Sequence, residues 1–416
     1  MAVNQHNLEV ENSNLNIHEQ LRDLSSCGQV SQAFYSASRR YLFSLIFIGV
    51  VRRGHRLQSL AMTRIRKLLD ILSENPLIQR QIQNLRIDVT YIDETLAPSE
   101  THEYEAMESE VIDFQLAEIG FDSLMLQFMA LKSLTIHPIP GYSSLCTFKN
   151  LSRLFSSLSV LPTCCPNLHK LIMDNVKSVP TSFLSQWPCI TDFVALSTTF
   201  TQEGSSMNDV MHFKRFSLRV ISPGADAELL KSIDFGRLRD LSLIFSRCWA
   251  RYTLYMVLRC IDNALPVLNR LCLNNIFKFQ VALPISISGF PSLQVLDIID
   301  RVSPYDKGLL PNLARFLTPA NSATLNIRII NLTIWGPHAF DIILLGSSAE
   351  WATLDRIFSS NQYSHLTRVR IMIVVDLSGF VDQELVKSAI DNFTSNFVPL
   401  THALQSVSIS VEHCLS

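Results

Sequence analysis

The chain has 416 residues, of which 47% are apolar and 17% charged, and its formal net charge is −2 at pH 7. So much apolar material excludes a disordered polymer, and the length suits two or three domains or an array of repeats. The near-zero net charge excludes a global field that would attract nucleic acid or an anionic membrane.

The N-terminal segment is polar. It lacks the apolar core of a secretory signal, and we expect residues 1–20 to be disordered. The run YLFSLIFIGVV that follows, from Tyr41, has 11 residues, whereas a membrane-spanning helix needs about 20. Its Phe, Ile and Val content predicts a buried strand, and we expect no membrane partner.

Opposite charges are segregated near the N-terminal end. Residues 35–67 hold seven arginines, one lysine and no acid, whereas residues 94–118 hold eight acids and no lysine or arginine. The basic block is open to two interpretations, a solvated helix face or a nucleic-acid patch. The few aromatic residues after Phe47 favour the solvated face, so we expect no nucleic-acid partner. We interpret residues 94–118 as an acidic insertion.

The strongest pattern in the chain is a six-residue motif with apolar residues at its first, fourth and sixth positions. Six good copies occur, namely LKSLTI at 131, LHKLIM at 168, FKRFSL at 213, LRDLSL at 238, LNRLCL at 268 and LQVLDI at 293. Weaker copies are LFSLIF at 42, IQNLRI at 82, ITDFVA at 190, IINLTI at 329, LTRVRI at 366 and LQSVSI at 404.

These copies predict a repeat fold. The fourth and sixth positions lie two apart and therefore face the same side of a short strand. Starting points of the central copies, from 168 to 293, differ by 22 to 30 residues, close to the usual length of a leucine-rich repeat. We therefore predict an α/β solenoid over residues 42–416, with short parallel strands on the concave side and helices on the convex side.

The segments between copies predict helices that return the chain to the next strand. Apolar residues recur three or four apart in TLYMVLRCIDNAL, KGLLPNLARFL, AEWATLDRIFSS and QELVKSAIDNFTSNF. Several copies are preceded by proline, which ends a helix, as in CPNLHKL, ALPVLNRL and FPSLQVL.

The fifth position of each copy is expected to be exposed on the concave side, which solenoids use to bind proteins. The residues assigned to it are mixed and mostly small or weakly polar: Thr135, Ile172, Ser217, Ser242, Cys272, Asp297, Thr333, Arg370 and Ser408.

Signatures of catalysis and metal binding are absent. The sequence has no phosphate-binding loop, no G-x-S-x-G elbow and no H-E-x-x-H motif. Its nine cysteines are odd in number and form no C-x-x-C pair, which indicates free thiols in a reducing compartment. We expect a non-enzymatic protein without cofactor or metal, located inside the cell in the cytoplasm, the nucleus or both.

The stretch LRDLSSCGQVSQAFYSASRRYLFSLIFI resembles the C-terminal half of an F-box from the large families of mushroom-forming fungi. Leu24, Cys27, Val30 and Phe34 match the helical part. The segment RKLLDILSENPLIQRQIQNLRI also resembles those families, with a helix, an Asn-Pro break and a strand. The resemblance implies a substrate-recognition subunit of a Skp–cullin–F-box ubiquitin ligase, which binds a Skp-family adaptor and an unknown protein substrate.

The F-box-like segment is truncated relative to that family. Residues 3–20 lack the Leu-Pro segment and first helix with which an F-box begins, so we assign a truncated F-box-like helical segment to 21–41. Two roles remain open for the apolar stripe of Leu24, Cys27, Val30 and Phe34: adaptor binding, or capping the core of the first repeat. A repeat scaffold without ligase attachment is the corresponding alternative function.

Overall fold

The computed structural model describes residues 45–51, 55–90, 120–138, 147–201, 210–220, 229–230, 232–245, 266–277, 286–301, 308–320, 324–336, 350–376 and 407–414, with 384, 387–388 and 391. The chain divides into two compact units, Met1–Lys177 and Ser178–Ser416. The predicted polar N-terminus, the F-box-like segment and the acidic insertion lie outside the described residues and remain predictions.

In the part of the first unit that the structure describes, four parallel strands neighbour one another in chain order: β1 (Leu45–Val51), β2 (Asn84–Thr90), β3 (Ser133–Pro138) and β4 (Lys170–Asp174). Helices connect them: α1 (His55–Glu74), α2 (Pro76–Gln79), α3 (Phe121–Met125), a 3-10 turn (Lys149–Leu151), α4 (Ser152–Leu158) and α5 (Leu161–Cys164).

The helix, the Asn-Pro break and the strand predicted between 66 and 87 are confirmed. Helix α1 ends at Glu74 because the residue before a proline disfavours the helical conformation. Asn75 accordingly has φ −130° and ψ 77°, and Pro76 begins α2, where a missing N–H costs nothing.

The described residues of the second unit include eight parallel strands in chain order: β6 (Asp192–Leu196), β8 (Arg215–Val220), β9 (Asp240–Phe245), β10 (Arg270–Asn274), β11 (Val295–Arg301), β12 (Ile329–Gly336), β13 (Arg368–Asp376) and β14 (Val407–Cys414). Two further two-residue strands, β5 (Val179–Pro180) and β7 (Phe200–Thr201), pair with each other. The helices whose bounds lie within the described residues are α6 (Thr181–Ser185), α7 (Leu309–Leu317) and α8 (Glu350–Phe358), with 3-10 turns at Phe235–Arg237, Ile287–Gly289 and Asn361–Tyr363.

The predicted fold class is confirmed: every motif copy overlaps one of the parallel strands of the two units. The helices predicted around 307–317 and 349–360 are confirmed as α7 and α8, which bury apolar residues at the predicted spacing. The segment 253–265 lies outside the described residues. In the described parts of the shorter return segments the helical elements are short, as in α6 and the 3-10 turn Phe235–Arg237, because a repeat of 22 to 25 residues leaves little room for a long helix.

Burial alternates along the strands as the motif requires. In β9, Leu241, Leu243 and Phe245 are at most 3% exposed, while Ser242 and Ile244 between them are half-buried. Leu238, the first position of this copy, is fully buried two residues before the strand begins. The three apolar positions of a copy therefore form one layer of the core.

A backbone hydrogen-bond pattern fixes how one repeat sits on the next. The carbonyl of the second motif residue accepts two consecutive N–H groups from the following repeat; for example, Gln294 O accepts from Arg328 N at 2.9 Å and Ile329 N at 3.1 Å. The same arrangement recurs within the two units at the carbonyls of Gln83, Lys132, Thr191, Lys214, Arg239, Asn269 and Arg328.

This pattern corrects the position of one predicted copy. The copy assigned to IINLTI at 329 begins instead at Ile327, because Ile330 pairs with Leu296 and Leu332 with Ile298. Sequence could not separate the two phases, since isoleucines at both 327 and 329 satisfy the motif. The fifth position of this repeat is therefore Asn331, and the assignment of Thr333 to it was wrong.

The buried leucines of the second unit should dominate its stability. We expect Leu241→Ala and Leu271→Ala each to lower the free energy of unfolding by about 2–5 kcal/mol, because each leaves a cavity between stacked layers. Urea titration followed by circular dichroism measures this, with exposed Gln294→Ala as the control, expected within about 0.5 kcal/mol. A leucine loss below about 1 kcal/mol would contradict the assignment.

The corrected phase has its own test. Ile327 is fully buried, whereas Ile329 is half-buried. We therefore expect Ile327→Ala to cost about 2–5 kcal/mol and Ile329→Ala distinctly less in the same titration. The reverse order would restore the phase first inferred from the sequence.

Candidate functional site

The candidate site is the open face of the strands, defined here as the third, fifth and seventh positions of each motif copy. These positions point away from the leucine core because successive strand residues alternate between faces. The structure places charged side chains at several of them, and the two units are described separately.

In the first unit, open-face residues of three successive repeats form a polar group that we call the histidine cluster: Arg86, Asp88, His137 and Asp174. Arg86 Nε donates to Asp88 Oδ1 at 2.7 Å. His137 Nδ1 lies 3.2 Å from Asp88 Oδ1 and 3.1 Å from an Arg86 guanidinium nitrogen, and its Nε2 lies 3.5 Å from Asp174 Oδ2. The imidazole is thus enclosed by two carboxylates and one guanidinium.

The proton on the histidine decides which of these contacts is a hydrogen bond. With the proton on Nε2, the ring faces Asp174 with a donor, and Nδ1 is free to accept from Arg86. With both nitrogens protonated, the ring faces both carboxylates with donors, and His137 no longer accepts from Arg86. Protonation of His137 at Nδ1 therefore exchanges the hydrogen bond with Arg86 for one with Asp88.

The central carboxylate of the cluster is held in its charged form. Burial favours the neutral acid, but the hydrogen bonds with His137 and Arg86 outweigh it and hold the pKa of Asp88 below its ordinary value. Both partners are themselves largely buried, with 10% and 18% of their side chains exposed. These interactions are therefore screened less by water than a surface ion pair.

Sequence reasoning missed this cluster, although a signal was present. Asp88, His137 and Asp174 occupy the seventh position of their motif copies, and the register pairs Asp88 directly with His137. Superposing the copies by their leucines would have placed the three residues in one column across adjacent strands.

In the second unit, charges alternate along the third position of adjacent strands. Arg215 lies between Asp192 and Asp240, with nitrogen–oxygen distances of 3.5 Å and 3.2 Å. The Arg215 side chain is 67% exposed, so these pairs contribute little to stability and mainly set the charge of the surface.

Asp297, predicted to be exposed, is only 8% exposed because two neighbours enclose its carboxylate. Arg270 Nε donates to Oδ2 at 2.7 Å, and Asn331 Nδ2 donates to Oδ1 at 2.7 Å. The hydrogen bond with Asp297 raises the pKa of Arg270 despite partial burial. Burial raises the pKa of the neighbouring Cys272 thiol, which leaves this cysteine a poor nucleophile.

The predicted partner-binding residues Leu24, Cys27, Val30 and Phe34 lie outside the described residues, and their role remains a prediction. Within the part of the chain that the structure describes, no group of three or more His, Cys, Asp or Glu residues is arranged to hold a metal ion. Across those same residues, no helix has the length and apolarity needed to cross a membrane. Four cysteines, Cys164, Cys165, Cys189 and Cys272, are free thiols.

Comparisons with known proteins find similarity among solved structures, where 16 chains match. No family model matches the sequence, and no curated protein matches it. A crystal structure of an internalin (inlF) from Listeria monocytogenes is similar over 85% of this chain and 90% of that chain, with 11% identity and a TM-score of 0.29. The repeat fold assigned above therefore rests on the strands and register of this chain itself.

The histidine cluster should make stability depend on pH. The pKa of Asp88 is lower in the folded chain than in the unfolded chain, where it is about 3.9. Its carboxylate therefore stabilises the fold above that value, and the contribution is lost as the pH falls through the folded pKa. We expect the difference in unfolding free energy between wild type and Asp88→Asn to be largest above about pH 5 and to shrink below about pH 4.

Urea titrations across this pH range measure the difference. Asp122→Asn, which removes one exposed carboxylate from the same unit, is the matched control and should show a smaller effect. A difference between wild type and Asp88→Asn that grows on acidification would contradict the described pairing.

Proposed function

We propose that this protein is a non-enzymatic protein-interaction module whose open strand face binds a protein partner. The observation that supports the proposal is the series of parallel strands in register. Residues at the same open-face motif position in successive repeats lie side by side and form a continuous surface. Such an array offers an extended surface rather than a closed pocket, and solenoids use surfaces of this kind to bind proteins.

We further propose that the module is the substrate-recognition subunit of a Skp–cullin–F-box ubiquitin ligase inside the cell. The F-box-like residues Leu24, Cys27, Val30 and Phe34 support this, because their three- and four-residue spacing gives a helix one apolar stripe. In this proposal the stripe contacts the Skp-family adaptor and the repeats bind the substrate. The absence of a Leu-Pro segment from residues 3–20 favours the second candidate, a repeat scaffold without ligase attachment.

Adaptor binding by the full chain separates the two candidates. We expect a purified Skp-family adaptor to be retained by the wild-type chain in a pull-down. The double substitution Val30→Asp with Phe34→Ala should weaken retention by about tenfold or more, because it places a charge on the proposed apolar contact stripe and removes its aromatic ring.

The matched control is Ser31→Asp with Gln32→Ala, which changes residues off the apolar stripe and should leave retention unchanged. Circular dichroism of all three chains confirms that each is folded. Failure of the wild-type chain to retain the adaptor at high concentration would rule out the ligase role and leave the scaffold.

A further inference from the structure

A row of basic side chains lies where the strands of the second unit begin. It occupies the second and third motif positions from β8 to β13 and consists of Lys214, Arg215, Arg239, Arg270, Arg328 and Arg368. All six are exposed. Only two carboxylates, Asp192 and Asp240, occupy the same motif positions between β6 and β13. Six cations against two carboxylates give the row an excess of positive charge.

The acids beside the row do not neutralise it evenly. Asp192 and Asp240 both lie next to Arg215, and Asp297 accepts from Arg270. Lys214, Arg328 and Arg368, in contrast, form no side-chain hydrogen bond or ion pair with any residue that the structure describes. These three cations are available to an incoming ligand without the loss of an internal partner.

The length of the row fits a short extended peptide. The strands from β8 to β13 are consecutive neighbours in the sheet, and five steps of about 4.8 Å separate the first from the last, or about 24 Å. An extended chain advances about 3.4 Å per residue, so about seven residues span the row.

The described surface favours an acidic peptide over nucleic acid. Proteins that bind single-stranded nucleic acid combine positive charge with exposed aromatic side chains on which bases stack. The large apolar side chains exposed among the described residues are Ile71, Leu77, Leu126, Met129 and Val210, none of which is aromatic.

We propose that the basic row binds an acidic segment, rich in aspartate or glutamate, of a protein partner. This inference rests on the proposed protein-binding function and adds the charge of the segment that is recognised. Carboxylates of the segment pair with Lys214, Arg328 and Arg368, and the spacing of these cations along the sheet sets the length of the segment.

Fluorescence anisotropy of the full chain with dye-labelled peptides tests the proposal. The probes are an oligoglutamate of about eight residues, an oligoglutamine of the same length and a single-stranded oligothymidylate with the same number of charges. The test variant combines Lys214→Gln, Arg328→Gln and Arg368→Gln. The matched control combines Lys67→Gln, Arg80→Gln and Lys149→Gln, which removes the same charge from exposed positions of the first unit.

We expect oligoglutamate to bind and oligoglutamine not to bind. The row variant should weaken oligoglutamate binding by about threefold per charge, or roughly 10- to 30-fold, and the control variant by less than about threefold. Equal weakening by both variants, no binding of oligoglutamate, or tighter row-dependent binding of oligothymidylate would each overturn the proposal. The adaptor pull-down depends on Val30 and Phe34, so its outcome is independent of these substitutions.

Discussion

The pairing of one carbonyl with two N–H groups of the next repeat is the constraint on which the rest of each unit depends. It fixes the strand register at the point where each strand begins, and so it determines which residues stack as core layers. Because the side-chain period of a strand is two, a slip of one residue would move every leucine to the open face. The leucine layers and the carbonyl contacts therefore enforce the same alignment.

The same register decides which charges meet. Arg270, Asp297 and Asn331 are far apart in sequence but lie on three neighbouring strands. The register places Arg270 and Asn331 within hydrogen-bond distance of the Asp297 carboxylate. The histidine cluster follows the same logic in the first unit, where Asp88 and His137 stand opposite each other. Polar side chains on the open face are thus positioned by the apolar pattern on the other face.

Sequence alone predicted the positions of the strands well, because the apolar residues at the first, fourth and sixth motif positions recur in many copies along the chain. It placed one copy two residues too late, since both Ile327 and Ile329 can serve as the first motif position, and only the strand pairing distinguishes the two alignments. It also assigned Asp297 to the exposed surface, because side-chain pairing across strands depends on neighbours that lie 27 and 34 residues away.

Return segments of unequal length leave the strand columns aligned. The spacing between central motif copies varies between 22 and 30 residues, yet the described register within the second unit is continuous from β6 to β14. The length of a return segment therefore does not affect the alignment of side chains on the open face. For protein engineering, this means that residues at one open-face motif position can be substituted without changing the others. The connecting segments can be lengthened or shortened independently of these substitutions.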